Sequence, residues 1–411
     1  MNPLSLALQT GRHHHLARRS VALACRLAIV PVFAVFTASV LAGPLSPPAG
    51  PVVSTPGPEA RTPISDTTTP GDGNSVYRIT QPGSYYLTGN VTGASGKNGI
   101  KIDSSGVTID LNGFQLAGVP GSLDGIRVTF VNAVGISVIN GTVTNWGNAG
   151  VNFTGVASAA CRVERVTATN NGGTGINLFS GSTAINCTAT GNLANGIVGN
   201  ENCTLISCVA HANTGFGIYV GFGCAATNCT SARNIGPGFG GATGATVTNC
   251  SAYENTTTGF LMSIGTTVQA CSANGNNQHG FSLGFGSTIV DSSATTNDLD
   301  GIRVTDSCTV RGNTCSVNGN AGDGAGIHAT GTDNVIEGNL CRLNDRGVDV
   351  DSGGNVIIRN RCSGNTINWD IAIGNSVGPI VVAGTNAAAI NGNGPVASTL
   401  GSTDPNANFS Y

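Results

Sequence analysis

The sequence predicts an all-β solenoid of short parallel strands, stacked into about 12–13 coils of mostly 21 residues each. Three observations support this. A Gly followed by an apolar residue returns every 21 residues at Gly175-Ile176, Gly196-Ile197, Gly217-Ile218, Gly238-Phe239, Gly259-Phe260, Gly280-Phe281 and Gly301-Ile302. Within each unit, apolar and polar residues alternate with the period of a strand. No stretch between Gly99 and Gly374 has helical periodicity. Looser members of the step, from Gly99-Ile100 to Gly347-Val348, extend the solenoid on both sides.

Residues 1–42 read as an export signal. Arg12, Arg18, Arg19 and Arg26 form a basic start, and an apolar run follows from Leu27 to Leu41. Val40-Leu41-Ala42 offers a cleavage site, so the mature chain would begin near Gly43. The run of about 15 residues is short for a membrane span. A retained anchor is the alternative, and it is the one membrane contact expected. Residues 43–73 hold eight prolines and read as a semi-extended linker. The β-helix is expected over 74–375. Between Gly83 and Gly378 only Pro120 and Pro237 occur, as a ladder of backbone donors requires. Residues 376–411 form a C-terminal tail expected to pack on the coils, through Ile380-Val381-Val382 and Phe409-Ser410-Tyr411.

Residues 280–300 show one coil. Phe281, Leu283, Ile289, Ser292 and Ala294 are the inward points of three short strands joined by turns. Three columns recur at the same period. Asn171, Asn192, Asn213, Asn234, Asn255, Asn276 and Asn297 form one. Cys187, Cys208, Cys229, Cys250 and Cys271 form another, continued by Ser292. Cys161, Cys203, Cys224 and Cys308 share the third with Ser182, Ala245, Thr266 and Ser287. Stacked strands lie about 4.8 Å apart, so these side chains lie above one another. Asn tolerates left-handed backbone at turns, and its amide can bond the next amide in the stack, which makes that column structural. Of the 13 cysteines, Cys25 lies in the export segment. In-register parallel strands aim the others the same way, which suits a disulfide torsion poorly. Buried thiols are therefore expected; a disulfide framework and a metal site are the alternatives.

The repeat Asn-Cys-Ser-Ala-x-x-Asn-x-x-x-Gly-Phe at 249–260 resembles the coils of right-handed parallel β-helix proteins of the pectate-lyase-like superfamily. So do the segments Tyr77-Arg78-Ile79-Thr80-Gln81-Pro82-Gly83 and Val107-Thr108-Ile109-Asp110-Leu111-Asn112-Gly113. The likeness spans 74–375. It implies a right-handed helix with any active site on the outer face of one sheet, where polysaccharide lies across the coils. It does not carry a particular reaction. The chain lacks the Asp-Asp pair and Gly-His-Gly of a polygalacturonase and the Asp-Pro-His-Asp of an alginate epimerase.

A net charge of −3 suggests no field for nucleic acid. The charge is uneven: residues 191–290 carry only Glu201, Arg233 and Glu254, whereas 291–370 carry eleven acids and six arginines. Two residues after each Gly the side chain faces outward. That column ends in Arg303, His328 and Asp349 on adjacent coils. An acid orients an imidazole and raises its pKa, and Arg holds a carboxylate, so these three are the candidate catalytic residues. Asp300, Asp351 and Arg346 are the candidate substrate contacts beside them. Tyr219 is a ring on which a sugar could stack, with Trp146, Phe222 and Trp369 as further aromatic candidates. The acids at 298, 300, 306, 323, 345, 349 and 351 admit Ca²⁺. The middle of the column is apolar or small at Val198, Tyr219, Gly240 and Leu261, for which the tail is a candidate cover.

The expected function is an exported β-helix, outside the cell, on its surface or in the periplasm, that binds or presents to extracellular or cell-wall polysaccharide. The alternative is a lyase, epimerase or hydrolase acting on an anionic glycan around residues 300–351. Oligomeric state is left open.

Overall fold

The computed structural model describes residues 61–154, 159–320, 322–391 and 395–411. The export segment and the linker as far as residue 60 lie outside the described residues. Each regular coil gives one strand to a 15-stranded sheet and two to a 28-stranded sheet. In one coil these are Phe281–Leu283, Thr288–Val290 and Ser293–Thr295. They pair in parallel with the next coil through Phe281↔Ile302, Ile289↔Val310 and Ala294↔Cys315. The expected inward points are all buried, with Phe281, Ile289 and Ala294 fully so. Phe239, Phe260 and Phe281 stack ring on ring inside, with centroids 4.7 Å apart.

The coils outnumber the 12–13 expected, because both terminal coils break the Gly step. Ser75↔Asn98 and Tyr77↔Ile100 put Val76 where the next coil has Gly99. Val348↔Trp369 puts Asn368 where the previous coil has Gly347. Pairing also begins inside the stretch read as linker. Thr62–Pro63 lies parallel to Gly83–Tyr86, and Pro70–Asp72 lies antiparallel to Ser75–Ile79.

The tail docks at the last coils, away from Val198, Tyr219, Gly240 and Leu261. Ser376–Val377 pairs with Val356–Ile358, and Asn408–Ser410 pairs with Arg361–Ser363. Its backbone donors thus continue the larger sheet. Trp369 turns toward the core and donates from Nε1 to Ser410 Oγ at 2.7 Å, so it packs at the end of the helix.

Three corners shape each regular coil, and each holds one residue in the left-handed region. In one coil these are Gly181, Asn186 and Gly191, and in the next Asn202, Ser207 and Ala212. The residues immediately after them are Ser182, Cys187, Asn192, Cys203, Cys208 and Asn213, members of the three columns. The column asparagines therefore do not supply the left-handed backbone, as expected above; the residue before each of them does.

What the columns supply is an acceptor. The backbone N–H of Asn192 donates to Asn213 Oδ1 at 3.1 Å, and its side-chain Nδ2 donates to the same oxygen at 2.9 Å. The N–H of Cys229 donates to Cys250 Sγ at 3.3 Å, that of Cys271 to Ser292 Oγ at 3.1 Å, and that of Ser292 to Asn313 Oδ1 at 2.9 Å. Sulfur, hydroxyl and amide alternate in one role. All twelve described cysteines are buried free thiols.

The same ladder explains the Gly step. A Cβ on Gly259 would lie 2.8 Å from Asn276 Nδ2 and 2.6 Å from Gly280 O. A Cβ on Gly175 would lie 2.7 Å from Asn192 Nδ2. Glycine is needed there for close approach of the amide.

The acceptor role predicts opposite outcomes for two substitutions at one thiol. Cys250→Ser keeps an acceptor for Cys229 N–H and should change unfolding free energy by less than about 1 kcal/mol. Cys250→Val is similar in bulk but orphans that donor, and should cost about 1–3 kcal/mol in urea denaturation. Equal losses in the two variants would contradict the acceptor role.

Candidate functional site

The site lies on the outer face of the 15-stranded sheet, in two columns flanking the Gly step. Arg303↔His328, His328↔Asp349 and Asp349↔Asp370 are direct cross-strand pairs. The residue before each Gly also faces outward there, and supplies His279, Asp300 and Arg346. An insertion at about 319–324 lengthens the coil between Gly301 and Gly326. It places Asp323 against Arg346 Nη1 as an ion pair.

His328 is the centre. Its Nδ1 lies 3.0 Å from Asp300 Oδ2, and its Nε2 lies 3.1 Å from Asp351 Oδ2 and 3.9 Å from Asp349 Oδ2. Burial disfavours the imidazolium, but the hydrogen bond and charge of Asp300, with Asp351 and Asp349, outweigh it and raise the pKa to about 9. Asp300 is buried, and its Oδ1 accepts the N–H of Ala325 at 2.8 Å. Burial raises its pKa, yet the neighbouring imidazoles of His279 and His328 and the hydrogen bond from that N–H hold it well below the usual carboxylate range. His279 Nδ1 approaches Asp300 Oδ2 to 3.2 Å without hydrogen-bond alignment. Asp349 is buried. Burial raises its pKa against the opposing charges of His328 and Arg346.

Asp323, His328, Arg346, Asp349, Asp351 and Asp370 line an open cleft of about 440 Å³ with Val350, Ile371 and Ala372. Arg346 contacts Asp349 Oδ2 at 3.3 Å and brings Nε within 3.1 Å of Asp370 Oδ2, the latter misaligned for a hydrogen bond. Four carboxylates thus face one guanidinium and one imidazole in the cleft.

Of the residues singled out from sequence, His328, Asp349, Asp351 and Arg346 come together. Asp300 lies behind His328 and does not line the cleft. Arg303 is adjacent to His328 in register but lies outside the cleft lining, and among the described residues it has no hydrogen-bond or ion-pair partner. Tyr219 lies four strand spacings from Arg303, about 19 Å, and packs against Phe216 with ring centroids 5.4 Å apart. Trp146 is buried and Phe222 is exposed. Asp370, His279 and the Asp323–Arg346 pair were missed. Asp370 is visible once the outward column is carried past Asn368, and His279 once the residue before each Gly is tracked.

The acids suggested for Ca²⁺ do not form one cluster. Asp306 accepts from Thr332 N, and Asp345 accepts from Gly324 N at 3.2 Å. One ligand atom each from His328, Asp349 and Asp351 lie within 4.8 Å of one another. Calcium prefers six to eight oxygens, a set these three residues do not supply.

A family model described as a right handed beta helix region matches residues 199–340. No curated protein sequence matches the chain. Among solved structures, the A-module of mannuronan C-5 epimerase AlgE6 from Azotobacter vinelandii is similar with 16% identity and a TM-score of 0.49, covering 72% of this chain and 89% of that one. The AlgE4 A-module from the same organism gives 15% identity and a TM-score of 0.48, covering 72% and 91%. The tailspike receptor binding domain of Siphovirus 9NA gives 10% identity and a TM-score of 0.48, covering 82% and 78%. The stacked parallel coils and the family-model match over residues 199–340 show the fold of the chain, an all-β right-handed parallel β-helix.

Proposed function

We propose that the protein binds a polysaccharide in the cleft around His328. The observation that supports this is the lining of the cleft: four carboxylates, a guanidinium and an imidazole converge on one open groove held by a rigid sheet. Carboxylates accept pairs of hydroxyl hydrogen bonds, which neutral sugars offer. His328 as a cation donates in return. With carboxylates outnumbering cations, the protein alone favours a neutral glycan over the anionic one considered from sequence. Arg303 stands nearby for an acidic substituent.

A second reading is glycan modification. Asp349 supports it, because a buried carboxyl at the cleft wall with a raised pKa suits proton donation to a leaving oxygen. Export of the protein, read from residues 1–42, would bring the site to such polymers. Fractionation of the producing cell should then recover the chain in the periplasm or medium, and retention in the cytoplasm would remove this part of the proposal.

A glycan array probed with the wild type should show selective binding. Asp351→Ala, at an exposed carboxylate, should weaken that binding at least about tenfold, near 1.4 kcal/mol. Binding that survives both Asp351→Ala and Arg346→Ala unchanged would exclude this cleft. Any release of reducing ends or unsaturated ends should vanish in Asp349→Ala if the second reading holds.

The charge on His328 sets a pH dependence. Its pKa is raised on folding, so its stabilisation is fully present below about pH 6.5 and is lost as pH rises through about 9. Thermal unfolding in chelator-containing buffer should show this loss in the wild type and not in His328→Gln. Parallel profiles for the two would count against a charged His328.

A further inference from the structure

We propose that His328, Asp349 and Asp351 bind a divalent cation of the zinc class, through His328 Nε2 and one carboxylate oxygen from each aspartate. This goes beyond glycan recognition, because the cation is held by the protein alone.

Spacing is the first argument. A tetrahedral ion with bonds near 2.0–2.1 Å places its ligand atoms about 3.3 Å apart. His328 Nε2 stands 3.1 Å from Asp351 Oδ2 and 3.9 Å from Asp349 Oδ2, values that bracket this separation. One ligand atom from each of the three residues lies within 4.8 Å of the others, so small side-chain rotations close the site.

The second argument comes from outside the ligand set. His328 Nδ1 lies 3.0 Å from buried Asp300 Oδ2, and Asp300 is fixed in turn by the N–H of Ala325 at 2.8 Å. Metal-binding histidines are oriented in this way, with the second ring nitrogen held by a carboxylate. Asp300 sits on another coil and points Nε2 toward the two aspartates. It is a positioning residue. The ring would bind as neutral imidazole, releasing a proton to solvent.

Donor chemistry and charge agree. One imidazole and two carboxylates suit a borderline cation better than calcium. A cation would offset the excess of carboxylates in the cleft. Arg346 stays beside Asp349, and the open side leaves a fourth position for water or a sugar oxygen.

The test is calorimetric titration of chelator-stripped full-length protein with Zn²⁺. His13, His14 and His15 can also bind Zn²⁺, so the readout is the site lost relative to wild type. Wild type should show one more site than Asp351→Asn or His328→Gln. Asp351 is exposed, so its variant should keep the wild-type circular dichroism. Asp300→Asn should weaken that site about 10–100-fold. Zn²⁺ should still raise its melting temperature, by less than in wild type. Ca²⁺ at the same concentration should give no matching heat. Equal stoichiometry and affinity in wild type and Asp351→Asn would overturn the proposal, as would a site indifferent to His328→Gln.

Discussion

A backbone N–H at each corner of a coil points into the core, and the next coil has to accept it. Left unpaired, such a group costs about 1–3 kcal/mol. The requirement selects Asn, Cys, Ser or Thr after most left-handed corner residues of the regular coils; opposite Ala245, which has no acceptor, Cys224 N–H donates to Gly221 O of its own coil at 3.2 Å. It also selects glycine where the amide of the ladder crosses the following coil. The chain of acceptors needs a start and a stop. Trp146 stands at the start: its N–H donates to Asn171 Oδ1 at 3.1 Å, and its indole fills the space beside Gly99 and Gly125. That chain stops at Asn365, whose Nδ2 donates to Cys341 O at 3.0 Å and to Asn368 Oδ1 at 2.9 Å. Asn408 stops the column begun by the cysteines: Asn360 N–H donates to it at 2.9 Å, and its Nδ2 reaches Ile357 O and Gly378 O, each at 3.0 Å.

An interior so committed leaves chemistry to the outward positions. Two columns flank the Gly step on one face. In the regular middle they hold Pro237, Gly240, Thr258 and Leu261. In the later coils they hold His279, Asp300, Arg303, His328, Arg346, Asp349 and Asp370. In-register strands bring such groups within one strand spacing without any dedicated scaffold. The rigidity needed for an aligned site comes from the same ladders that hold the core.

A second location shows how little backbone change separates structure from site. Asp124 occupies the position of Asp300 in an early coil. Its Oδ1 accepts from Ala149 N at 2.9 Å, as Asp300 accepts from Ala325. Its Oδ2, however, binds Arg127 at 2.6 Å and Asn152 at 3.1 Å. Arg127 and Arg303 belong to the same column, but only Arg127 is neutralised by its neighbour. Around Asp300 two histidines replace those partners, which leaves Arg303 unpaired among the described residues and turns His328 toward the cleft.

The sequence by itself determined the coil, its inward points and the phase of each outward column. A 21-residue period maps equal phase to adjacent places on parallel strands, so Arg303, His328 and Asp349 were legible as neighbours. Phase says which way a side chain leaves the sheet. It does not say how far the side chain reaches or what it meets. The terminal coils escaped because Val76 and Asn368 interrupt the step, and Asp370 escaped with them. Only the tertiary structure buried Asp300 behind His328, folded the insertion that sets Asp323 on Arg346, and sent the tail to the last coil. Those outcomes depend on contacts between residues of different phase, which a one-dimensional repeat does not encode.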